Sequence, residues 1–218
     1  ERGVRRSTAH CSDAGPETGA GPANKNMTKR IGHLHVLTDE TVQDRYTHLE
    51  LAELAIDGGA DTIQFREKNR PTRDLLDIAS ALARLCRARG VPLVIDDRVD
   101  VALAVGADGV HLGNRDIPVA VARKLLGPDR IVGGTAAGLA DAIAAQKDGA
   151  DYVGFGHIYA TGSKIKQGAP TGPDAVREIS RSLAAAGQRI LPIGTVREGE
   201  GGVVYDLGLT EGALEEAP

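Results

Sequence analysis

Short apolar runs rich in β-branched residues alternate along the chain with longer segments rich in Ala and Leu that have a helical period. The short runs predict strands at 33–38, 62–67, 93–97, 109–113, 130–135, 152–158 and 190–196. The longer segments predict helices at 44–57, 72–89, 118–126, 139–147 and 173–186. This alternation is typical of strand–helix units arranged around a parallel sheet.

A short connector repeats between these units. Gly-Ala-Asp occurs at 59–61, 106–108 and 149–151, each time between the end of a predicted helix and the next apolar strand. Glycine is a common helix terminator and Asp a common turn residue. The repeat, together with the absence of a G-x-G-x-x-G motif from the first unit, favours an α/β fold of the (β/α)8 TIM barrel type over an open doubly wound sheet.

The end of the chain departs from this pattern. Only residues 197–202 separate the seventh predicted strand from the apolar run 203–209, whereas a parallel crossover needs about a dozen residues. The last βα unit is therefore expected to be atypical or incomplete. We expect a single barrel domain at 31–218, with an irregular C-terminal segment at 197–218.

The beginning of the chain is expected to be a disordered leader or tag at 1–30, because residues 1–26 are rich in Gly, Pro and polar residues and have no periodic apolar positions. Met27, the only methionine, directly precedes the first apolar run and is a candidate start of the native protein. An organelle transit segment, suggested by Arg2, Arg5 and Arg6, is the weaker alternative.

The composition of the chain argues against several classes of binding partner. The 218 residues include 26 basic and 30 acidic side chains, a net charge of −4 that argues against nucleic acid or an anionic membrane as a partner. No apolar stretch approaches the roughly 18 residues of a membrane span. Two distant cysteines, Cys11 and Cys86, offer no disulfide framework, so a cytoplasmic location is expected and Cys86 is expected to be inert in its helix. A homo-oligomer remains an open alternative.

Polar residues on one face of the second predicted strand are the first candidates for chemistry. Gln64, Arg66 and Lys68 share a face by the strand period of two and would point into the barrel mouth. Two buried cations without partners are costly, so they indicate an anion such as a phosphate or diphosphate. The alternative is a salt bridge at the sheet edge with Glu67 or Asp97.

Acidic residues follow the third and fourth predicted strands. Asp97 and Asp116 could together hold Mg²⁺, which prefers a few hard oxygen ligands and completes its shell with water and phosphate oxygens. Asp116 also stands shortly before the helix predicted at 118–126, so a helix-capping role is the alternative.

A loop after the sixth predicted strand carries hydroxyl and amino groups. Thr161, Ser163 and Lys164 lie in a Gly-containing segment that could wrap a phosphate, although a solvated surface turn explains the same residues equally well. His157, at the end of the sixth strand, is interpreted as a packing residue.

Four of these segments, in order and at compatible spacing, resemble the thiamine phosphate synthase family. They are Gln64-Phe65-Arg66-Glu67-Lys68, Asp96-Asp97-Arg98-Val99-Asp100, Gly109-Val110-His111-Leu112-Gly113 with Asp116, and Thr161-Gly162-Ser163-Lys164. The resemblance spans roughly 34–196. It implies a (β/α)8 barrel that condenses hydroxymethylpyrimidine diphosphate with hydroxyethylthiazole phosphate, giving thiamine phosphate and diphosphate, with Mg²⁺ and no organic cofactor.

The resemblance also implies roles for individual residues. Arg66, Lys68 and Lys164 would be catalytic and grip the diphosphate, while Asp97 and Asp116 would bind Mg²⁺. The remaining substrate-binding residues that it implies are Gln64, Asp96, Thr135, Thr161, Ser163 and Gly194.

Several positions depart from the family pattern. Asp96 replaces the usual Asn and adds a negative charge beside the diphosphate, and Thr135 replaces the usual Ser. Gly156-His157-Ile158 is closer to the related thiazole tautomerase subfamily, but Ala137 stands where that subfamily has its His. The final strand that would cradle the thiazole phosphate has no recognisable counterpart.

Two rival functions remain open. One is a non-catalytic or regulatory barrel that binds the diphosphate but has lost turnover together with its last unit. The other is an aldolase or isomerase in which Lys68 or Lys164 forms a Schiff base, which needs a lowered lysine pKa.

Overall fold

Seven parallel strands, each hydrogen-bonded to the next, form the main sheet of the computed structural model. The structure describes residues 31–156, 158, 170–184, 189–192, 195–199 and 202–206. The strands of the sheet are β1 (His35–Thr38), β2 (Thr62–Phe65), β3 (Leu93–Asp96), β4 (Gly109–Leu112), β5 (Ile131–Ala136), β6 (Tyr152–Phe155) and β7 (Arg189–Pro192).

In the described part of the chain, six helices connect these strands. They are α1 (His48–Asp57), α2 (Thr72–Arg89), α3 (Val99–Val105), α4 (Val119–Leu126), α5 (Leu139–Lys147) and α6 (Gly172–Ala184). The predicted α/β fold of TIM-barrel type is confirmed. The helix predicted at 44–57 begins later, at His48, because Thr47 and Glu50 form a capping box that fixes the helix start.

The sheet has a helix-covered face and an inner face. Ile63 and Phe65 belong to the buried cluster that β2 shares with α2, so they point toward the helices as the strand period predicts. On the inner face, Val94 of β3 packs in one cluster with Tyr152 of β6. The rings of Tyr152 and of His35 on β1 have centroids 5.8 Å apart, whereas strands five positions apart in a flat sheet would be roughly 24 Å apart, so the sheet curls into a barrel wall.

The repeated Gly-Ala-Asp connectors link neighbouring strands by hydrogen bonds at the amino end of the sheet. Their glycines all have positive φ, at 96° for Gly59, 65° for Gly106 and 94° for Gly149. Their carboxylates accept backbone N–H groups at the start of the preceding strand, as Asp108 does from Leu93 at 2.9 Å. Asp61 and Asp151 bind Leu34 and Val132 in the same way. The Asp of the repeat is therefore a strand-to-strand link as well as a turn residue.

The chain after β7 takes a different course. A hairpin of β8 (Thr195–Gly199) and β9 (Gly202–Asp206) forms a separate two-stranded antiparallel sheet. The seventh predicted strand, 190–196, is therefore divided between β7 and β8. Within the described residues the parallel sheet has seven strands, and the hairpin follows where a regular barrel would add its eighth strand.

Two smaller expectations concern the helices. Cys86 of α2 is a free, buried cysteine, and burial, with a smaller contribution from Asp108, raises the pKa of its thiol to about 12, in agreement with an inert role. None of the helices in the described part of the chain is long and apolar enough to span a bilayer.

Candidate active site

The first residues of the candidate site lie on the inner face of β2 and on the segment that follows it. Gln64 is buried, and Arg66 and Lys68 continue its inward alternation beyond the end of the strand. The Gln64 amide donates to Asp96 Oδ1 at 2.9 Å, and Lys68 Nζ donates to Asp96 Oδ2 at 2.6 Å. Arg66 Nε lies 3.6 Å from the same Asp96 oxygen. The structure therefore gathers Gln64 and the two cations that follow β2 around one buried carboxylate.

Asp97 lies beside Asp96 at the end of β3 and has the only positive φ, 61°, among the non-glycine residues that the structure describes. Asp tolerates this left-handed conformation better than most residues. Its backbone N–H donates to the His111 carbonyl at 2.8 Å, which holds the turn, and its carboxylate pairs with Lys68. The salt bridge between Lys68 and Asp97 considered from the sequence is thus present, and it lies in the mouth itself.

Burial lowers the pKa of the Lys68 ammonium, but the hydrogen bonds to Asp96 and Asp97 outweigh burial and raise this pKa above its usual value. Lys68 is therefore a stable cation. A Schiff-base lysine needs the opposite shift, so the geometry argues against the aldolase alternative at this residue.

Asp116 reaches the same place from the loop after β4. Its carboxylate accepts the Gly113 N–H at 2.7 Å, and a Cβ on Gly113 would lie 2.8 Å from that carboxylate oxygen, so a glycine is needed for the approach. The N-cap of α4 is Pro118, without a side-chain cap. The capping alternative for Asp116 is therefore wrong.

The carboxyl groups of Asp97 and Asp116 lie within hydrogen-bonding reach of each other. Burial, and then the contact with Asp97, raise the pKa of Asp116. Burial would raise the pKa of Asp97 too, but the hydrogen bonds from Lys68 and Asp116 outweigh it and lower this pKa. Two adjacent carboxylates retain a proton because their charges repel, and a divalent cation would relieve the same repulsion. Two converging carboxylates fit the hard-oxygen ligands of Mg²⁺.

Asp39, directly after β1, is a site residue that the sequence reasoning missed. Its carboxylate pairs with Arg66 and accepts the Thr41 N–H at 2.8 Å. Burial would raise the pKa of Asp39, but the hydrogen bonds from Thr41 and the contact with Arg66 outweigh it and lower this pKa. Its position at the carboxyl end of a strand is the signal that could have identified it.

The inner wall below these charges is polar. Thr135 is a site residue expected from the sequence, whereas His111 and Tyr152 had no predicted role. His111 lies 3.0 Å from the Thr135 hydroxyl through Nε2 and 3.0 Å from the Tyr152 hydroxyl through Nδ1. The His111 and Tyr152 rings stack with centroids 5.4 Å apart. A Cβ on Gly133 would overlap the Tyr152 ring, so this glycine makes room for it. The position of the Thr135 hydroxyl is therefore fixed by its contact with His111, which Tyr152 holds in turn.

His35 extends this polar wall on β1. Burial, and then the nearby His111, lower the pKa of the His35 imidazole to about 4, so this side chain is neutral near pH 7. Its ring lies against the Tyr152 ring, with centroids 5.8 Å apart. The wall thus offers uncharged hydrogen-bonding groups, whereas the mouth above it is charged.

A second group of possible metal ligands lies behind β2. Glu40, His48 and Glu67 bring their ligand atoms within 4.8 Å of one another. Arg70 donates to Glu40 at 2.5 Å and to Glu67 at 3.2 Å, so its single positive charge offsets part of the negative charge of the two carboxylates without an ion. These residues are distinct from the predicted pair, Asp97 and Asp116. The remaining predicted site residues, Thr161, Ser163, Lys164 and Gly194, and also His157, lie outside the described residues.

Comparison with known proteins identifies the family to which this sequence is similar. A family model described as "Thiamine monophosphate synthase" matches residues 34–213. The thiamine-phosphate synthase of Salinibacter ruber is 47% identical over 155 residues, which cover 71% of this chain and 68% of that protein. The thiamine-phosphate synthase of Chlorobium luteolum is 45% identical over 174 residues, covering 78% of each protein.

A solved structure gives the same result. The thiamine phosphate pyrophosphorylase of Pyrococcus furiosus is 40% identical, with a TM-score of 0.60 over 68% of this chain and 69% of that one. The family resemblance inferred from the motifs is thereby confirmed. The chain belongs to the thiamine monophosphate synthase family.

Proposed function

We propose that the barrel mouth described above is the active site for the family's reaction. Thiamine phosphate synthesis, a transferase reaction, is the activity that family membership gives this chain. The observation that supports the site assignment is the placement of Lys68 against Asp97, whose carboxyl group adjoins that of Asp116, with Arg66 against the neighbouring Asp96. Cations next to a carboxylate pair suit a diphosphate accompanied by a divalent ion.

The substrates in this proposal are hydroxymethylpyrimidine diphosphate and hydroxyethylthiazole phosphate. The bond between the pyrimidine methylene carbon and the diphosphate oxygen breaks, and its electron pair leaves with the diphosphate. The lone pair of the thiazole nitrogen then forms the new carbon–nitrogen bond. No strong base is needed, so the protein's main task is to stabilise negative charge on the leaving group and to hold both reactants together.

The residues of the mouth divide this task. Arg66 and Lys68 contact the diphosphate, while Gln64 and Thr135 contact the pyrimidine from the inner wall. Mg²⁺ held by Asp97 and Asp116 would supply further positive charge to the leaving group. In the same proposal, Thr161 and Ser163 approach the thiazole phosphate, Lys164 grips the diphosphate and Gly194 contacts substrate. A cytoplasmic setting also belongs to this proposal.

The direct test is an assay of the purified chain with both substrates and Mg²⁺. We expect diphosphate and thiamine phosphate to appear in equal amounts, and only when both substrates and Mg²⁺ are present. Removal of Mg²⁺ with a chelator should stop the reaction, and added Mg²⁺ should restore it. Binding of the pyrimidine diphosphate without any turnover would favour the non-catalytic barrel and overturn the proposal.

Substitution of Asp96 is expected to strengthen substrate binding rather than weaken it. Replacement of Asp96 by Asn removes a negative charge from the mouth and the carboxylate oxygen that accepts Lys68 at 2.6 Å. Lys68 should then be freer to bind phosphate. Lys68 is 34% exposed and keeps its pair with Asp97, so we discount the charged bond to about 0.5–1.5 kcal/mol, which predicts that the KM for the pyrimidine diphosphate falls by about two- to tenfold.

A control for this variant lies at the other end of the same strand. Asp108 accepts the Leu93 N–H at the amino end of β3, so Asp108→Asn should leave the KM for the pyrimidine diphosphate unchanged. Steady-state kinetics at saturating thiazole phosphate measure both variants. A higher KM in Asp96→Asn would show that the Asp96 charge assists binding, against this prediction.

A further inference from the structure

Glu67 lies between the two cations of the mouth in sequence but points the opposite way. Its side chain is only 4% exposed and sits on the helix side of the strand end. Oε1 accepts the Asn69 N–H at 2.7 Å, and Oε2 accepts Arg70 Nε at 3.2 Å. His48 Nε2 lies 3.4 Å from the same Oε2. Glu67 thus ties the chain after β2 to α1 and to its own loop.

His48 is the central member of this group. It is 1% exposed, and Nδ1 lies 3.0 Å from the Thr38 hydroxyl at the end of β1. Its ring meets the Phe65 ring edge-on, with centroids 4.7 Å apart. Its backbone N–H donates to Glu40 at 2.9 Å. The imidazole therefore joins the ends of β1 and β2 to the first turn of α1.

The segment that carries Arg66 and Lys68 has few other backbone restraints. Arg66 N–H donates to the Thr38 carbonyl at 3.1 Å, which continues the pairing of β1 and β2 by one residue. From there the chain runs to α2, which starts at Thr72. Because successive side chains in extended backbone point to opposite faces, fixing Glu67 on the outer side directs Arg66 and Lys68 to the inner side.

We propose that Glu67, held by His48 and Arg70, is a positioning residue that fixes Arg66 and Lys68 toward the diphosphate. This inference rests on the proposed function, in which those two cations bind the diphosphate. Without the Glu67 contacts, the segment can rotate and both long side chains regain rotamer freedom that binding must then remove. Arg70 donates to both Glu67 and Glu40, so its guanidinium offsets part of the carboxylate charge in this cluster.

The test compares Glu67→Ala and Glu67→Gln in the full chain. The Ala variant should raise the KM for the pyrimidine diphosphate about tenfold or more, while the KM for the thiazole phosphate stays within about twofold. The Gln variant keeps an oxygen that can accept the Asn69 N–H, so its KM for the pyrimidine diphosphate should fall between those of the parent and the Ala variant. This partial rescue also keeps the test decisive if the Ala variant fails to fold.

Asp151→Asn is the matched control. Asp151 anchors two elements at the amino end of the sheet, accepting Arg123 at 2.5 Å and the Val132 N–H at 2.8 Å. We expect this variant to lower the midpoint of thermal unfolding and to leave both KM values unchanged. A general loss of stability would therefore not reproduce the selective change expected for Glu67.

The outcomes separate this inference from the proposed function. If Arg66→Ala raises the KM for the pyrimidine diphosphate and neither Glu67 variant does, the positioning role is refuted and the diphosphate assignment stands. The positioning role is also refuted if both KM values rise together in proportion to the loss of stability. If Arg66→Ala has no effect either, the diphosphate assignment fails, and the positioning role fails with it.

Discussion

Replacement of Arg66 by Ala is expected to lower kcat/KM for the pyrimidine diphosphate by about 10- to 150-fold, because a charge-assisted hydrogen bond is worth about 1.5–3 kcal/mol. The Arg66 side chain is 18% exposed and lies between Asp39 and Asp96. Its loss removes a cation from the mouth and leaves two buried carboxylates without their guanidinium. Negative charge would then face an anionic substrate, so binding and leaving-group stabilisation should both suffer.

Two further variants test whether the effect comes from the charge and shape of Arg66 itself. Arg66→Lys keeps the charge but loses the planar fork of donors that a phosphate accepts, so its kcat/KM should lie between those of the parent and Arg66→Ala. Arg89→Ala removes a guanidinium from an exposed pair with Asp57, where α2 ends, and should change kcat/KM by less than about twofold. Equal rates in Arg66→Ala and the parent at saturating Mg²⁺ would exclude Arg66 from the diphosphate site.

The fold could be predicted where local signals agree. α2 matches its prediction at both ends because Pro71 precedes it and Gly90, with φ of 68°, terminates it. α3 was not predicted. It has only seven residues, Val99–Val105, and its valines favour a strand as much as a helix. Its helical state depends on tertiary packing, since Val99, Val101 and Ala102 are buried.

The site could be predicted only as a set of candidates. Strand alternation and the strand-end rule were enough to select Arg66, Lys68, Asp97 and Asp116. The partners of these residues depend on the curl of the sheet. Asp39 and Arg66 are 27 residues apart in the chain, and no local pattern encodes their pairing. The same rule applied to the end of β1 would have proposed Asp39, but not what it binds.

The outward-facing cluster behind β2 shows a different limit. Glu67 was considered from the sequence only as a salt-bridge partner for the inward cations. The structure places it on the other side of the chain, against His48 of α1. Strand period alone indicates that Glu67 faces away from Arg66. The identity of its neighbours requires the packing of α1 against β1 and β2.

The second large effect is expected for Mg²⁺ dependence in Asp97→Asn. Asn is the matched replacement because it also tolerates the left-handed backbone at this position, where φ is 61°. The substitution removes one of two adjacent carboxylates and therefore one hard, charged oxygen ligand. We expect the Mg²⁺ concentration for half-maximal activity to rise about tenfold or more, since a lost charged contact costs about 1.5–3 kcal/mol.

A titration of activity with Mg²⁺ at saturating substrates measures this effect, and Asp100→Asn serves as its control. Asp100 is 63% exposed and pairs with Arg98 on the surface, so its replacement should leave the titration unchanged. Because Asp97 also pairs with Lys68, the Asn variant could disturb substrate binding as well. Substrate saturation removes that contribution from the midpoint. A midpoint equal to that of the parent would mean that Asp97 only orients Lys68, and the metal site would have to be sought elsewhere.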